Sequence, residues 1–231
     1  MKLLISGGGT REPIDGVRFI TNFSTGATAA ALADFFVSRG DEVTCLMAEG
    51  SVRPRASAAR VVEYTSFDSL DRAFRTELSH AAFDAILHLA AVSDYSVDSI
   101  WEGDRRIDGA STGKLDSRGE ITLKLKPNFK IVARLKGYVR EALPGGRVPA
   151  VVAFKLTDSP QVEARLGAVN RLFEGSDVDW VVHNDIGDRR AGCPKFTVYG
   201  RELRALAECA DAQSLGGALA ALLHRSQQEE E

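Results

Sequence analysis

The chain has 231 residues, of which 44% are hydrophobic and 26% are charged, so it can bury one substantial core and is predicted to form a single domain over 1–231. Its formal net charge of -3 excludes the clustered basic surface on which nucleic-acid binding depends. The apolar run after Lys2 is too short for a signal-peptide core or for the roughly 20 residues of a membrane span, which indicates a cytoplasmic protein with no membrane partner.

Strands and helices are predicted to alternate through the first part of the chain. The predicted strands share a short apolar pattern and lie at 2–6, 42–47, 60–64 and 84–90. An alanine-rich helix is predicted to begin at a cap formed by Ser24 or Thr25 and to end near Gly40, and an amphipathic helix is predicted at 67–80. This alternation predicts an α/β class with a Rossmann-like, mostly parallel sheet flanked by helices.

The second half of the chain begins with a segment of different composition. Residues 92–119 are rich in serine, glycine and charge, which predicts a flexible flap near the ends of the strands. Regular elements then return, as strands at 121–125, 148–156 and 178–182 and as helices at 129–142 and 161–173. The chain is predicted to close with a short C-terminal β segment at 196–199 and a helix at 212–224.

A glycine loop, Gly7-Gly8-Gly9-Thr10, follows the first predicted strand. Backbone amides after a strand and near a helix N-terminus can hold a phosphate group, although such glycines can equally form only a tight turn. The loop is not the dinucleotide fingerprint, because Glu12 stands where a third glycine would be needed. The sequence therefore predicts a binding site for a phosphate-bearing ligand of some other kind.

The segment Asn22-Phe23-Ser24-Thr25-Gly26 places an amide, two hydroxyls and a glycine at the entry to the alanine-rich helix. Side chains and amides of this kind at a helix N-terminus favour anions. The alternative is that Ser24 only caps the helix and that Asn22 satisfies backbone groups of its own loop.

Two further strands end in polar residues, in Ala90-Ala91-Val92-Ser93-Asp94 and in His183-Asn184-Asp185. Open α/β sheets bind their ligands at such strand ends. Asp94 could hold a magnesium ion or a ligand amine or hydroxyl, or it could be an ordinary turn aspartate. In the flap, Lys114 is either a solvated surface lysine or a cation that closes over a triphosphate.

The order of these segments resembles one enzyme family. The quoted segments are Ser6-Gly7-Gly8-Gly9-Thr10-Arg11-Glu12-Pro13-Ile14-Asp15, Val17 to Gly26, Ala90 to Tyr95, Gly113-Lys114-Leu115, Lys126-Pro127-Asn128, Ala153-Phe154-Lys155-Leu156 and Val182 to Asp185. Together they resemble the phosphopantothenate-cysteine ligases of coenzyme A biosynthesis over nearly the whole chain.

The resemblance implies a cytoplasmic, usually dimeric enzyme that joins phosphopantothenate to L-cysteine. It implies an acyl-nucleotidylate formed from CTP or ATP with Mg²⁺ and released pyrophosphate, and it implies catalytic roles for Asn22 and Lys114. The implied nucleotide- and substrate-binding residues are Gly8, Gly9, Thr10, Arg18, Ser24, Thr25, Gly26, Ala90, Ala91, Asp94, Phe154, Lys155 and Asn184.

The chain departs from the family pattern at two places. Ala29 stands where many members have a second glycine, and Lys114 is not followed by a lysine pair. The motif forms resemble stand-alone ligases, including eukaryotic ones, rather than fusions to a flavin-dependent decarboxylase, so no flavin is expected. Because the resemblance implies CTP for bacterial members and ATP for eukaryotic ones, the nucleotide stays open, with CTP ahead of ATP. The alternatives are a non-catalytic nucleotide-binding protein derived from the ligase, and a short-chain reductase, against which the lack of a Tyr and Lys spaced four apart argues.

Overall fold

The computed structural model describes residues 1–107, 115, 119–192 and 195–229, except the side chain of residue 229. These residues form an eight-stranded sheet, a three-stranded sheet and a two-stranded hairpin. The strands are β1 Lys2–Gly7, β2 Arg11–Pro13, β3 Phe19–Thr21, β4 Glu42–Ala48, β5 Arg60–Tyr64, β6 Ala85–His88, β7 Tyr95–Glu102, β8 Arg105–Ile107, β9 Ile121–Pro127, β10 Ala150–Thr157, β11 Trp180–Asp185, β12 Phe196–Tyr199 and β13 Ala205–Cys209. The helices are α1 Ala27–Ser38, α2 Phe67–His80, α3 Leu135–Ala142, α4 Val162–Gly175, α5 Ile186–Arg190 and α6 Ala212–Glu229.

The large sheet has the strand order β13-β12-β11-β10-β6-β1-β4-β5. Its five inner pairings, from β11 to β5, are parallel, and β12 and β13 extend it by antiparallel pairing. Parallel strands with helical crossovers need apolar side chains on both faces, and β1 meets this need with Leu3, Leu4 and Ile5 fully buried. The predicted Rossmann-like, mostly parallel fold is confirmed.

Two hydrophobic cores cover the two faces of this sheet. On one face α2, α3 and α4 bury side chains such as Phe74, Leu135 and Phe173. On the other face α1 and α6 bury Leu32, Phe36 and Leu219. Among the described residues, no helix combines the length and the hydropathy that crossing a membrane requires.

Part of the predicted flap forms regular secondary structure. Residues 95–107 form the antiparallel strands β7 and β8, and β7 pairs with β9 in the three-stranded sheet. The prediction of an irregular segment at these residues was therefore wrong, because a sheet that packs little apolar surface lacks the alternation that announces a strand. The strand predicted at 121–125 is found as β9 Ile121–Pro127, although it joins this small sheet rather than the large one.

Two other expectations need correction, and a third is confirmed with an addition. The N-cap of α1 is Gly26, with a φ of 76°, and it makes no side-chain capping bond, so neither Ser24 nor Thr25 is the cap. The helix predicted at 129–142 is a 3-10 turn, Ile131–Arg134, followed by α3. The short C-terminal β segment at 196–199 is confirmed as β12, and it is paired with a strand that the sequence did not predict, β13.

Candidate functional site

The candidate site is a cavity of about 920 Å³ above the carboxyl ends of β1, β6, β10 and β11. The chain leaves β1 toward β4 on one side and returns to β6 on the other, so β1 is the topological switch point at which open α/β sheets bind ligands. Two walls face each other across the cavity. The loop wall comprises the lining residues between 21 and 29 and between 88 and 94, and the helix wall comprises those between 129 and 132 and from 153 onward.

The structure brings ten of the predicted site residues together around this cavity. They are Asn22, Ser24, Thr25, Gly26, Ala90, Ala91, Asp94, Phe154, Lys155 and Asn184. Gly8, Gly9, Thr10 and Arg18 do not line it. Lys114 lies outside the described residues.

Gly7 lines the cavity, whereas Gly8 and Gly9 of the glycine loop pack behind the loop wall. A Cβ on Gly9 would lie 2.3 Å from the carbonyl oxygen of Asn22, and a Cβ on Gly8, whose φ is 89°, would lie 2.5 Å from the Cβ of Ala48. Only glycine permits such contacts. The loop therefore acts through close packing, which brings the Asn22 backbone against the end of β1.

Thr10 connects the two segments of the loop wall. Its side chain is buried, and its Oγ1 accepts a hydrogen bond from the backbone amide of Ser93 at 2.9 Å. Its carbonyl oxygen accepts a hydrogen bond from Oγ1 of Thr21 at 2.7 Å. Since Thr21 precedes Asn22 and Ser93 precedes Asp94, Thr10 sets the distance between the two predicted site residues.

Asn22 bridges the cavity mouth from one segment to the other. Its Nδ2 donates a hydrogen bond to the carbonyl oxygen of Val92 at 2.9 Å, while its Oδ1 accepts none from a described residue. The amide is thus held in place on one side and available to a ligand on the other.

The N-terminus of α1 opens directly into the cavity. Gly26, Ala27 and Thr28 line it, and the nearest capping interaction is a long 3.4 Å bond from the Ala27 amide to Oγ1 of Thr25. The first amides of a helix are not satisfied within the helix and carry the positive end of its dipole. This end of α1 is consequently a favourable place for an anion.

Asp94 ends the loop wall and contacts the helix wall. Its carboxylate forms an ion pair with Lys130, and both side chains are more than half exposed. Its backbone oxygen accepts a hydrogen bond from the amide of Asn128 at 2.8 Å. Within the described ranges, no group of three His, Cys, Asp or Glu residues is placed to hold a metal ion.

The helix wall carries cations that the motifs did not reveal. Arg171 of α4 and Arg189 of α5 line the cavity together with Lys155 of β10. None of the three makes an ion pair with another described residue. Unpaired cations beside an open cavity favour the binding of an anionic ligand.

Comparison with known proteins agrees with this geometry. Residues 1–198 match the family described as "DNA/pantothenate metabolism flavoprotein C-terminal domain". The chain belongs to this family. The family inferred from the sequence motifs is therefore confirmed.

The relatives are larger proteins. The "Coenzyme A biosynthesis bifunctional protein CoaBC" of Thermococcus kodakarensis is 30% identical over 185 residues, which are 80% of this chain and 41% of that protein. The protein of the same description from Methanocaldococcus jannaschii is 29% identical over 198 residues, covering 86% of this chain and 44% of that protein. The chain thus spans less than half the length of these relatives.

Solved structures share the fold. The DNA/pantothenate metabolism flavoprotein from Streptococcus pneumoniae superposes with a TM-score of 0.82 at 22% identity, over 98% of this chain and 99% of that one. A mutant of Cab2 in complex with phosphopantothenate-cysteine superposes with a TM-score of 0.73 at 18% identity, over 100% of this chain and 89% of that one. At these identities the likeness concerns the fold alone.

Arg18, which the family resemblance implied as a binding residue, is engaged elsewhere. Its guanidinium donates two hydrogen bonds to Oδ2 of Asp15, at 2.6 and 2.9 Å, and one to the carbonyl oxygen of Leu115 at 3.2 Å. The buried Asp15 carboxylate has its pKa held well below the usual range by the Arg18 guanidinium and by backbone amides. The pair is therefore ionised and lies beside the cavity rather than in it.

Two histidines lie beneath the site and do not supply it with an acid-base group. His88 lines the cavity floor, and its Nδ1 lies 2.8 Å from Oγ of Ser6. Burial lowers its pKa to about 4, so it is neutral at physiological pH. Burial and the Arg165 charge also lower the pKa of His183, which lies 2.8 Å from Oγ1 of Thr157. These contacts give both histidines a structural role.

Asp185 organises the end of β11 next to the predicted site residue Asn184. It is 1% exposed and accepts hydrogen bonds from the backbone amides of Ser159 at 3.1 Å and Gly187 at 2.8 Å, as the N-cap of α5. Burial alone would raise the pKa of Asp185, but its hydrogen bonds, that of Thr157 above all, lower it to about 2. The carboxylate thereby fixes α5, which carries Arg189 to the cavity.

Spacing on α4 is the signal that could have found the missed residues. The α4 residues that line the cavity share one face, with helical spacing, and are Ala168, Arg171, Leu172 and Gly175. The sequence predicts the helix and this spacing, but the face that meets the cavity depends on how α4 packs across β10 and β11.

Proposed function

We propose that this chain is a phosphopantothenate-cysteine ligase, which joins phosphopantothenate to L-cysteine in coenzyme A biosynthesis. The carboxylate of phosphopantothenate attacks the α-phosphate of a nucleoside triphosphate and releases pyrophosphate, and the cysteine amine then displaces the nucleotide from the acyl-nucleotidylate. One observation carries the proposal: the cavity at the switch point joins the open N-terminus of α1 to unpaired cations of the helix wall. Family membership supports the same reaction.

The first step requires that negative charges approach each other. A carboxylate must reach a polyphosphate, and this repulsion is offset by fixed positive dipoles and by cations placed before the reaction begins. The amides at the start of α1 supply such dipoles, and Lys155, Arg171 and Arg189 supply cations. Lys114 is proposed to act in this step, in keeping with the family resemblance.

The second step requires that the acyl-nucleotidylate be held while the amine attacks. The amine forms the C–N bond and releases a proton, the C–O bond to the phosphate breaks, and the nucleoside monophosphate leaves with the electron pair. We propose that Asn22 stabilises this intermediate, because one Nδ2 proton fixes the amide at Val92 and the second can be donated to the ligand. Ser24, Phe154 and Asn184 line the same cavity and are proposed to contact the substrates.

Magnesium is proposed to enter with the nucleotide. Asp94 is the one carboxylate among the described residues that line the cavity, and it is paired with Lys130. Such a donor set does not form a protein cage for a metal, whereas Mg²⁺ commonly uses one carboxylate together with phosphates and water. Asp94 would hold the ion through one oxygen, and the ion would neutralise phosphate charge. A cytoplasmic homodimer and a preference for CTP are further parts of the proposal, based on the resemblance.

Incubation of the full chain with phosphopantothenate, Mg²⁺ and either CTP or ATP tests the activity. We expect pyrophosphate release with at least one nucleotide, and we expect the ligated product only after cysteine is added. Parallel reactions with CTP and ATP establish the nucleotide preference. Nucleotide binding without pyrophosphate release from either nucleotide would contradict the proposal and favour a non-catalytic binding protein.

A further inference from the structure

Leu115 is fixed to the opening segment of the chain through both of its backbone polar groups. Its amide donates a hydrogen bond to Oδ2 of Asp15 at 3.0 Å, across a sequence separation of 100 residues. Its carbonyl oxygen accepts one from Nη2 of Arg18 at 3.2 Å. The residue is only 5% exposed, so these bonds are shielded from water.

The two carboxylate oxygens of Asp15 have different tasks. Oδ1 accepts hydrogen bonds from the backbone amides of Val17 at 2.9 Å and Arg18 at 2.8 Å, which close a local turn. Oδ2 accepts from the Arg18 guanidinium and from the amide of Leu115. The turn requires only Oδ1. The bonds of Oδ2 therefore serve the distant segment, and they hold a carboxylate whose side chain is 0% exposed.

The position of this contact in the chain connects it to the two proposed catalytic residues. Strand β3 begins directly after Arg18 and leads through Thr21 to Asn22, whereas Leu115 is the residue after Lys114. Asp15 thus joins the segment that carries one proposed catalytic residue to the neighbour of the other. Fixing reacting groups in advance is worth a large part of an enzymatic rate enhancement.

We propose that Asp15 is a positioning residue for nucleotidyl transfer, since its Oδ2 holds the backbone of Leu115 against the segment that leads to Asn22. This inference rests on the proposed ligase function. It concerns the pyrophosphate-releasing step, in which Lys114 is proposed to act, rather than the later attack by cysteine.

The Asp15→Asn variant tests the roles of the two carboxylate oxygens separately. Its amide oxygen can still accept from the Val17 and Arg18 amides and keep the turn, but an NH₂ group in place of Oδ2 cannot accept from the Leu115 amide or from the Arg18 guanidinium. We expect pyrophosphate release without cysteine to slow roughly tenfold or more, since a buried hydrogen bond to a charged group is lost. We expect consumption of preformed intermediate by cysteine to change less than about twofold, because the bond that fixes the Asn22 amide at Val92 is left intact. Hydrogen exchange at the Leu115 amide should accelerate.

Two further variants keep the test decisive. Asp15→Ser retains one oxygen for the turn and has no second one, so it should reproduce the effect even where the asparagine variant does not fold. Asp34→Asn is the matched control, because the Asp34 carboxylate also accepts from two distant backbone amides, those of Arg55 and Ala56. The control should leave both steps and the Leu115 exchange unchanged.

Each outcome decides a different point. Equal losses in both steps, or faster Leu115 exchange with both steps intact, would overturn the positioning role. Unchanged exchange in both Asp15 variants would overturn the contact itself. A wild-type chain that releases no pyrophosphate would instead overturn the proposed function, and the exchange measurement would still test whether Asp15 holds Leu115.

Discussion

The loop wall and the helix wall of the cavity are built on opposite principles. Side-chain groups of the loop wall are held by bonds within the protein, as shown by Asn22 with Val92 and, behind the wall, by Thr10 with Ser93. Three cations of the helix wall, Lys155, Arg171 and Arg189, are not paired with any described residue, whereas Lys130 is paired with Asp94. A wall whose bonds are already made can orient a ligand, whereas a wall with unpaired charge can neutralise one.

The difference assigns the walls to different parts of the proposed reaction. The loop wall would hold the reacting carboxyl group and its intermediate, so a defect there should lower kcat. The helix wall would attract the nucleotide, so a defect there should raise KM with little change in kcat. Variants placed on each wall test this division.

The largest effect is expected for Asn22→Asp on the loop wall. The change removes the donor to Val92 and adds a negative charge where phosphate is proposed to bind. We expect kcat to fall by roughly two to three orders of magnitude, the usual cost of losing one well-placed donor to a reaction intermediate. Steady-state pyrophosphate release measures this, with circular dichroism as the check on folding.

Asn170→Asp supplies the control for added charge. Asn170 is on α4 but does not line the cavity, and its Nδ2 donates to Glu174. This variant should turn over like the wild type. Wild-type rates in Asn22→Asp as well would remove Asn22 from the mechanism and abolish the distinction between the walls.

The next largest effect is expected on the stability of the protein, through His88 at the floor of the cavity. His88 is neutral when folded, with a pKa lowered from 6.5 to about 4. Between these values the unfolded chain binds a proton that the folded chain does not, so stability is fully present above pH 6.5 and is lost as pH falls toward 4. The free energy of unfolding should drop by about 3 kcal/mol over this range.

Urea unfolding at a series of pH values measures this loss. His88→Gln, which can still bond to Ser6, should show a distinctly shallower slope. Some slope should remain because burial also lowers the pKa of His183. An identical slope in wild type and variant would show that His88 is not the group responsible.

A smaller effect is expected on the helix wall, for Arg171→Gln. Removing an unpaired cation that faces the cavity should raise the KM for the nucleotide roughly tenfold, with kcat nearly unchanged. The remaining nucleotide affinity should depend less on salt. Arg140→Gln is the matched control, since Arg140 is exposed, paired with Asp177 and remote from the cavity. A loss in kcat rather than in KM would place Arg171 in the reaction itself.

Local sequence patterns predicted the elements whose ends are determined locally. Helix α2 matched its predicted bounds because Ser66 forms a capping box with Ser69 and the apolar period continues to the last turn. Strands β5 and β12 matched as well. By contrast, β7 is held by pairing with β9 and β8 by pairing with β7, and the cap of α1 is set by the left-handed backbone of Gly26. Neither leaves a pattern in the sequence.

The candidate site shows the same division. Motif residues of the loop wall, such as Asn22 and Asp94, could be predicted because each directly follows a predicted strand or precedes a helix. Arg171 and Arg189 could not, since an isolated arginine on a helix is usually solvated. Arg18, which the resemblance implied as a binding residue, does not line the cavity, because it is bonded to Asp15 and to Leu115.

The smallest effect is expected for Ala29→Gly, which tests whether the loop wall tolerates the departure from the family pattern. Ala29 lies in the first turn of α1 and is 1% exposed. A Cβ on Gly7 would lie 2.4 Å from the Cβ of Ala29, so the glycine at position 7 already makes the room that the Ala29 methyl group needs. Replacing Ala29 should lower the free energy of unfolding by about 1 to 2 kcal/mol, through lower helix propensity and the loss of a buried methyl group, and turnover should change by less than about twofold.

The reciprocal variant Gly7→Ala should unfold the protein far more readily, because its methyl group would overlap that of Ala29. The double variant Gly7→Ala with Ala29→Gly moves the methyl group from one side of the contact to the other and should recover part of the loss. Chemical denaturation of the three variants measures this coupling. A tenfold gain in turnover for Ala29→Gly would instead mean that the methyl group obstructs the ligand, and the loop wall would then be less well adapted to its substrate than the helix wall.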